Sequence, residues 1–339
     1  MKAQSFPISR RLFWKRCSAT AAAAGLPLWF VRRESALAAP APKPPGPNDR
    51  PGIALIGCGG MGRGDAANAQ RFGDILAVCD VDQERLEAAA QQFTKDGKSP
   101  QKYGDFRKVL ERDDVQVIVQ ATPDHWHTLV NLGAARARKD VYGEKPLTLT
   151  IDEGRRLVQA VRENGIVFQT GSQQRSDAKF RLACELVRNG RLGKLREVTV
   201  FLPAGLRGGP FASSPVPAGL NWDMWLGSQW DLAPKIPWNP DHFFRFRKYW
   251  PYNGGVATDL LYHFLAPLLI AISGNKGEFP RRVSAGGGLY IIDDGREIPD
   301  VFMMTVDYPS RFTVSLTSVL TNDTPVPTTR TASSLAICS

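Results

Sequence analysis

Ile53-Ala54-Leu55-Ile56-Gly57-Cys58-Gly59-Gly60-Met61-Gly62 is the stretch that decides the fold. Four apolar residues make a short buried strand, and G-x-G-x-x-G follows at once, opening a helix. The first glycine allows the tight turn, the second lets backbone N–H groups approach a pyrophosphate, and the third lets helix and strand pack closely. The helix then offers the positive end of its dipole to the anion. A glycine-rich turn alone is a common structural feature. Here a second apolar strand over residues 75–79 ends at Asp80, 23 positions beyond Gly57. A carboxylate there accepts hydrogen bonds from adenosine ribose hydroxyls. Asp80 and Asp82 together would repel a 2′-phosphate, so NAD is favoured over NADP. Gly57, Gly59, Gly60, Met61, Gly62 and Asp80 are the expected dinucleotide contacts.

Outward from this unit, strands and helices alternate. Strands are predicted over 53–56, 75–79, 115–121, 141–142 and 166–170, with helices over 61–72, 83–93, 125–138 and 152–164. Apolar runs of four to seven residues between helices mean a parallel sheet covered on both faces. After Gly171 the texture changes. A helix over 177–189 and a strand over 196–202 precede a long segment, 203–255, rich in Pro, Gly, Trp and Phe; a loop this long is usually functional. A helix over 257–272 and strands over 282–292, 301–308 and 311–320 complete an α+β half with a largely antiparallel sheet. The fold class is therefore α/β, a Rossmann domain over 52–172 followed by an α+β domain over 173–320. Residues 321–339 are polar and low in complexity, which predicts an incomplete second domain and a sheet edge without cover.

The chain has 339 residues and a formal charge of +10. Most of that charge sits in residues 1–38, where Lys2, Arg10, Arg11, Lys15, Arg16, Arg32 and Arg33 face Glu34 alone. The rest carries no basic run, so a nucleic-acid partner is not indicated. Ser9-Arg10-Arg11-Leu12-Phe13-Trp14-Lys15 matches the twin-arginine pattern S-R-R-x-F-x-K, and an alanine-rich apolar stretch leads to Ala36-Leu37-Ala38. This order predicts a cleaved signal over 1–38, a periplasmic or otherwise exported protein, and no membrane span in the mature chain. A proline-rich linker covers 39–51. The five cysteines fit no zinc or disulfide spacing; Cys58 and Cys79 read as small buried hydrophobes.

Three further patterns carry chemistry. In Glu144-Lys145-Pro146 the proline keeps Lys145 out of helical geometry, at the carboxyl end of a strand where α/β sheets bind ligands. A partly desolvated lysine there acts as acid, base or donor, although a surface lysine fits the pattern equally. Asp259 and His263, four apart, share one face of an otherwise apolar helix that Pro267 kinks. They read either as a catalytic pair or as a first-turn acid with a core histidine. His125 and His127, two apart, suit capping or cofactor contact better than metal ligation. Trp222, Trp225, Trp238, Phe243, Tyr249 and Trp250 suit stacking on a sugar or core packing. Arg245 and Arg247 suit an acidic substituent, with solvation the simpler reading.

Taken together, these elements resemble the glucose–fructose oxidoreductase / inositol dehydrogenase / MocA (Gfo/Idh/MocA) family over roughly residues 52–320. The resemblance lies in the glycine loop, in Thr122-Pro123-Asp124-His125-Trp126-His127, in Glu144-Lys145-Pro146 and in the Asp259/His263 pair. Gly171-Ser172-Gln173-Gln174-Arg175 and Trp222-Asp223-Met224-Trp225-Leu226-Gly227 are similar to a bacterial, often exported branch. It implies NAD contacts at Thr122, Pro123, His127 and Glu144. Lys145, Asp259 and His263 then handle the substrate proton, with Asp259 orienting the histidine, and Gln174 and Arg247 face substrate. Hydride transfer on a sugar or polyol is implied, with no metal and a homo-oligomer built through the second sheet. Leu261 and Pro267 stand where many relatives have glycine and an acid, which bears on substrate geometry. Two other readings remain: an NAD-dependent glycosidase working by transient oxidation and elimination, and a non-catalytic binding protein or inactive remnant.

Overall fold

The computed structural model describes residues 50–202, 211–273, 278–319 and 335–336. The twin-arginine segment, nearly all of the linker and most of the 321–339 tail lie outside the described residues. Among the described residues no helix is long and apolar enough to cross a membrane.

The first sheet consists of β1 (Gly52–Ile56), β2 (Asp74–Cys79), β3 (Gln101–Tyr103), β4 (Val117–Gln120), β5 (Asp140–Glu144) and β6 (Phe168–Gly171). Their order is β3-β2-β1-β4-β5-β6, parallel throughout. Helices α1 (Gly60–Ala69), α2 (Gln83–Gln92), α3 (Phe106–Leu110), α4 (Asp124–Arg136) and α5 (Ile151–Asn164) supply the crossovers. Period-2 alternation divides β1 between two cores: Ile53 and Leu55 join one, Ala54 and Ile56 the other. Leu55 and Ile118 are fully buried, each contributing about 2 kcal/mol of transfer free energy. Local signals agree with this layout. Thr150 and Glu153 close a reciprocal capping box on α5, and Gly165 ends it at φ 66°. Strand β3 and helix α3 were absent from the sequence expectation. Three polar residues and one helical turn carry too little periodicity to register.

The second sheet holds β7 (Glu197–Leu202), β8 (Arg282–Gly288), β9 (Val301–Tyr308), β10 (Phe312–Val319) and β11 (Leu335–Ala336), in the order β11-β7-β10-β9-β8. Its β7–β10 pairing is parallel and the other three are antiparallel. The low-complexity end thus contributes one two-residue strand beside β7, and β8 is the outer strand. Helix α6 (Ala178–Arg188) and the later helix over 261–273 share a core with this sheet, through Phe180, Phe264, Leu268, Val200, Val314 and Leu316.

The aromatic segment joins the two sheets. It contains α7 (Trp222–Leu226), α8 (Pro240–Phe244) and α9 (Val256–Asp259). Its start is stitched onto the end of β2: Asn221 N–H donates to Val81 at 2.9 Å, and Gln83 N–H donates to Gly219 at 3.2 Å. Trp126 Nε1 donates to the Trp225 carbonyl at 2.8 Å. Trp222, Trp225, Phe243 and Tyr249 are buried in one cluster. Core packing, not an open sugar platform, therefore accounts for most of the aromatic residues; Trp250 stays exposed.

The single helix expected over 257–272 is broken. Helix α9 stops at Asp259, and α10 (Leu261–Ser273) starts after Leu260 with Pro267 inside it. The break falls at Leu260, where the Asp259 carbonyl accepts from Lys145 Nζ at 3.1 Å and His263 N–H donates to the Leu260 carbonyl at 3.1 Å. Gly255 opens α9. It sits at φ 69°, ψ −153°, a conformation reserved for glycine, and a Cβ there would meet Ile298 Cγ2 at 2.1 Å. Gly190 has nearly the same φ, 68°, but open space around its Cβ position. Gly190→Ala is expected to lose about 1 kcal/mol in urea unfolding, and Gly255→Ala about 3 kcal/mol or more. Equal losses at the two positions would contradict the close packing of Gly255 against Ile298.

Candidate active site

The cleft opens where the strand order reverses, between the carboxyl ends of β1 and β4. Gly57, at φ 94°, passes so close to β4 that a Cβ would lie 2.5 Å from the Ala121 carbonyl. Gly62 is equally confined, its Cβ position 2.0 Å from the Gly57 carbonyl oxygen. Gly59 and Gly60 differ: a Cβ at Gly59 meets only Arg85 Nη1 at 3.7 Å, and at Gly60 nothing within 4 Å. Two glycines thus serve packing and two leave an open cradle at the start of α1. The cleft has a volume of about 310 Å³, and its lining includes Gly57, Gly59, Gly60, Met61, Gly62, Asp80, Thr122, Pro123, His127, Glu144, Lys145 and Arg247.

Asp80 anchors one end. Its Oδ2 accepts from Cys58 N at 2.7 Å and its Oδ1 from Asp82 N at 2.9 Å. Burial raises its carboxyl above the ordinary range, and these two N–H groups pull it back. Asp82 does not share the lining. It caps α2, accepting from Glu84 N at 3.0 Å, so its charge is directed to the helix. Arg85, which sequence reasoning passed over, lines this end instead. It is 3.2 Å from Asp82 and lies over the Phe243 ring at 5.1 Å. An open glycine cradle, a carboxylate at the ribose position and an arginine beside an aromatic ring fit a dinucleotide laid across the switch point.

The histidines hold backbone. His127 is buried, with Nδ1 2.6 Å from the Pro146 carbonyl and Nε2 2.9 Å from the Thr122 carbonyl. It ties the loop after β4 to the turn after β5, both of its ring nitrogens being occupied by backbone. His125 meets the Trp225 carbonyl at 3.0 Å, and burial pushes its pKa down to about 3. Among the described residues no three His, Cys, Asp or Glu side chains cluster as a metal site.

The other end is dense in charge. The Lys145–Pro146 bond is cis. Lys145 is 8% exposed; its Nζ donates to the Asp259 carbonyl at 3.1 Å and to the Asp259 carboxylate. The second carboxylate oxygen of Asp259 lies 2.9 Å from Arg247 Nε. Arg247 is therefore ion-paired, not left to solvent. Asp259 holds Lys145 and Arg247 where the sequence suggested it would orient His263. The break at Leu260 removes the continuous helix face that the four-residue spacing assumed. His263 is half-buried, and its Nδ1 makes no hydrogen bond. Burial first, then the Lys145 charge, lowers its pKa to about 4, against the pull of Asp259. Glu144 is buried beside Lys145, with the Asp65 carboxyl of α1 as a neighbour. Burial and the Asp65 charge raise its pKa to about 7. Gly171 makes room for it, since a Cβ there would meet Glu144 Oε1 at 2.5 Å. Asp65, three residues beyond the glycine turn with no motif of its own, was not foreseen. Gln174 lies in the turn Gln173–Ser176 and is not among the residues lining the cleft.

Comparison with known proteins agrees with this architecture. The profile of the Gfo/Idh/MocA oxidoreductase family's NAD-binding Rossmann fold matches residues 52–172, and that of its C-terminal alpha/beta domain matches residues 205–288. Myo-inositol 2-dehydrogenase of Thermotoga maritima is 27% identical over 144 residues, 42% of each chain. The 1,5-anhydro-D-fructose reductase of Ensifer adhaerens is 31% identical over 160 residues, 45% of this chain and 47% of the relative. A glycosyl hydrolase family 109 protein of Shewanella pealeana is 27% identical over 207 residues, 56% of this chain and 44% of that one. The chain thus spans less than half the length of these curated relatives. Among solved structures, the WlbA dehydrogenase of Bordetella pertussis, in complex with NADH and UDP-GlcNAcA, superposes with a TM-score of 0.61 at 19% identity, over 81% of this chain and 74% of that one. An NAD-binding protein from Listeria innocua gives a TM-score of 0.62 at 21% identity, over 82% of this chain and 67% of that one. With both of its domain profiles matched in order on one polypeptide, this chain belongs to the Gfo/Idh/MocA oxidoreductase family, and residues 52–172 are its NAD-binding Rossmann domain.

Proposed function

We propose that the protein is an NAD-dependent oxidoreductase acting on a CH–OH group of a sugar, polyol or derivative. One observation carries the reading: a buried lysine, Lys145, ends the cleft whose other end carries the glycine cradle and Asp80. A dinucleotide with its diphosphate on the cradle and its adenosine ribose on Asp80 extends its nicotinamide towards Glu144 and Lys145. Bound NAD supplies a hydride acceptor, or as NADH a donor, at nicotinamide C4.

The chain's own residues handle the proton. Lys145 Nζ and the ring of His263 are the groups that take up the hydroxyl proton in oxidation and return it in reduction. With its pKa near 4, His263 is neutral at pH 7, and its Nδ1 has no hydrogen-bond partner. Asp259 fixes the lysine through its carboxylate and its carbonyl. Lys145→Met removes the proton carrier while leaving the glycine cradle and Asp80 intact. Turnover of an inositol or anhydrosugar substrate should fall about 10²- to 10⁴-fold, with NAD affinity by calorimetry nearly unchanged. Undiminished turnover would remove the lysine from the mechanism.

Glu144 offers a pH test. Its folded pKa, about 7, stands above the ordinary value of 4.5, so the folded chain binds this proton more tightly than the unfolded one. Its contribution is therefore full below about pH 4.5 and lost as pH rises through 7. Denaturant unfolding of the cofactor-free chain should show this decline, and Glu144→Gln should flatten it. A decline as steep in the variant would assign it to other groups.

A second reading rests on the glycosyl hydrolase family 109 relative, which matches a longer stretch of this chain than the inositol dehydrogenase and the anhydrofructose reductase do. In it the same lysine and histidine serve transient oxidation, elimination and re-reduction. Incubation with a glycoside separates the two: oxidoreduction accumulates NADH with substrate oxidised, whereas the redox-neutral route releases aglycone without net NADH.

A further inference from the structure

Asp259 is shared. One carboxylate oxygen holds Lys145 Nζ; the other lies 2.9 Å from Arg247 Nε. Arg247 Nη2 in turn lies 3.7 Å from Asp124 Oδ1, and the other oxygen of Asp124 accepts from Asn253 Nδ2. Both carboxylates are almost fully buried, at 5% and 2% exposure, while Arg247 keeps about a third of its side chain exposed. Its guanidinium covers the Phe246 ring at 4.5 Å. The turn that carries it, Phe246–Lys248, is fixed from the opposite side. Lys248 is buried between Asp241 and Asp294, donating to the Asp294 carbonyl at 2.9 Å. Arg247 thus stands on a rigid support, aimed at the carboxylate that grips Lys145.

From this geometry we infer that Arg247 is a positioning residue that acts on Lys145 through Asp259, and not a receptor for an anionic group of the substrate. The inference deepens the oxidoreductase reading of the same site. An arginine stays charged at any working pH and is held in a planar fork. Its charge lies 2.9 Å from one oxygen of Asp259, while the other oxygen holds Lys145. Its positive charge also opposes a second cation beside the same carboxylate. The other groups facing this cluster are Glu144 at the end of β5 with Asp65 of α1, Asp124 and His127 on α4, Asn253 on the aromatic segment and His263 on α10. Burial raises the carboxyl of Asp124, with His127 and Arg247 pulling it down. His263 is neutral near pH 7. Neither a motif nor a spacing marks Arg247 for this role.

The test uses the full chain loaded with NAD, with Arg247→Gln and Arg247→Lys as variants and a neutral polyol as substrate. In Arg247→Gln the rising limb of the kcat/KM profile for oxidation should move up by about one pH unit. Its kcat at pH 7 should fall about tenfold or more, with KM for the neutral polyol within about twofold. Arg247→Lys retains the charge and should leave the limb within about half a unit. A limb that does not move, with KM for a sugar acid raised at least about tenfold, would make Arg247 an anion receptor and overturn the inference. Equal losses in both variants without a shift of the limb would make it a purely structural residue and overturn it as well. A second measurement needs no turnover: acetic anhydride labelling of Lys145 across pH, read by peptide mass spectrometry. The labelling midpoint should rise in Arg247→Gln relative to the parent; an unmoved midpoint overturns the inference. A shifted midpoint in a chain that oxidises no polyol would sink the oxidoreductase reading and leave the link between Arg247 and Lys145 standing.

Discussion

The close approach of two backbone strands at the switch point governs this structure. Gly57 leaves β1 at φ 94° against the Ala121 carbonyl, and Gly62 brings α1 down onto the Gly57 carbonyl. Side chains at either place would push the strand ends apart or lift the helix. With both contacts made, the N-terminus of α1 lies over the sheet's carboxyl edge and Gly59 and Gly60 are left facing open space. Asp80 completes the frame by accepting from Cys58 N, so the carboxylate expected to bind ribose also holds the loop itself. The cofactor cleft follows from packing constraints before any ligand is considered.

A second constraint joins the chain's two halves. Lys145 ends β5 of the first sheet, and Asp259 comes 114 residues later, beside the strained Gly255. A buried ammonium without its carboxylate costs about 3–5 kcal/mol, so loss of either partner is felt in folding as well as in chemistry. Around the pair, His127 binds two loops through their carbonyls, and Asn253 and Arg247 reach Asp124 at the start of α4. The reaction end of the cleft is a small ionic network with its members held in place, the preorganisation that proton transfer needs.

The first half was legible because its signals are local. Alternating apolar strands, the glycine loop, Asp80 and the Thr150–Glu153 capping box each lie within a few residues of what they determine. The second half was less legible for the opposite reason. The Asp259/His263 spacing suggested one continuous helix, yet Lys145, 114 residues before Asp259, takes the Asp259 carbonyl, and the helix is interrupted at Leu260. Asp82 was expected to help repel a 2′-phosphate, but its Oδ1 serves the N-terminus of α2 and its Oδ2 pairs with Arg85. Arg85, Asp65 and Arg247 matter only through partners distant in sequence, and no periodicity reports such partners. The aromatic run was correctly recognised as unusual, while its burial depends on stitching to β2 that composition does not encode.

The central claim is that the cleft between Asp80 and Lys145 holds NAD. Titration calorimetry of NAD into the soluble, nucleotide-free chain tests it most directly. The account predicts one site per chain, abolished by Gly60→Glu, whose side chain would fill the cradle, and weaker for NADP than for NAD. No heat from either nucleotide, with none carried through purification, would contradict it.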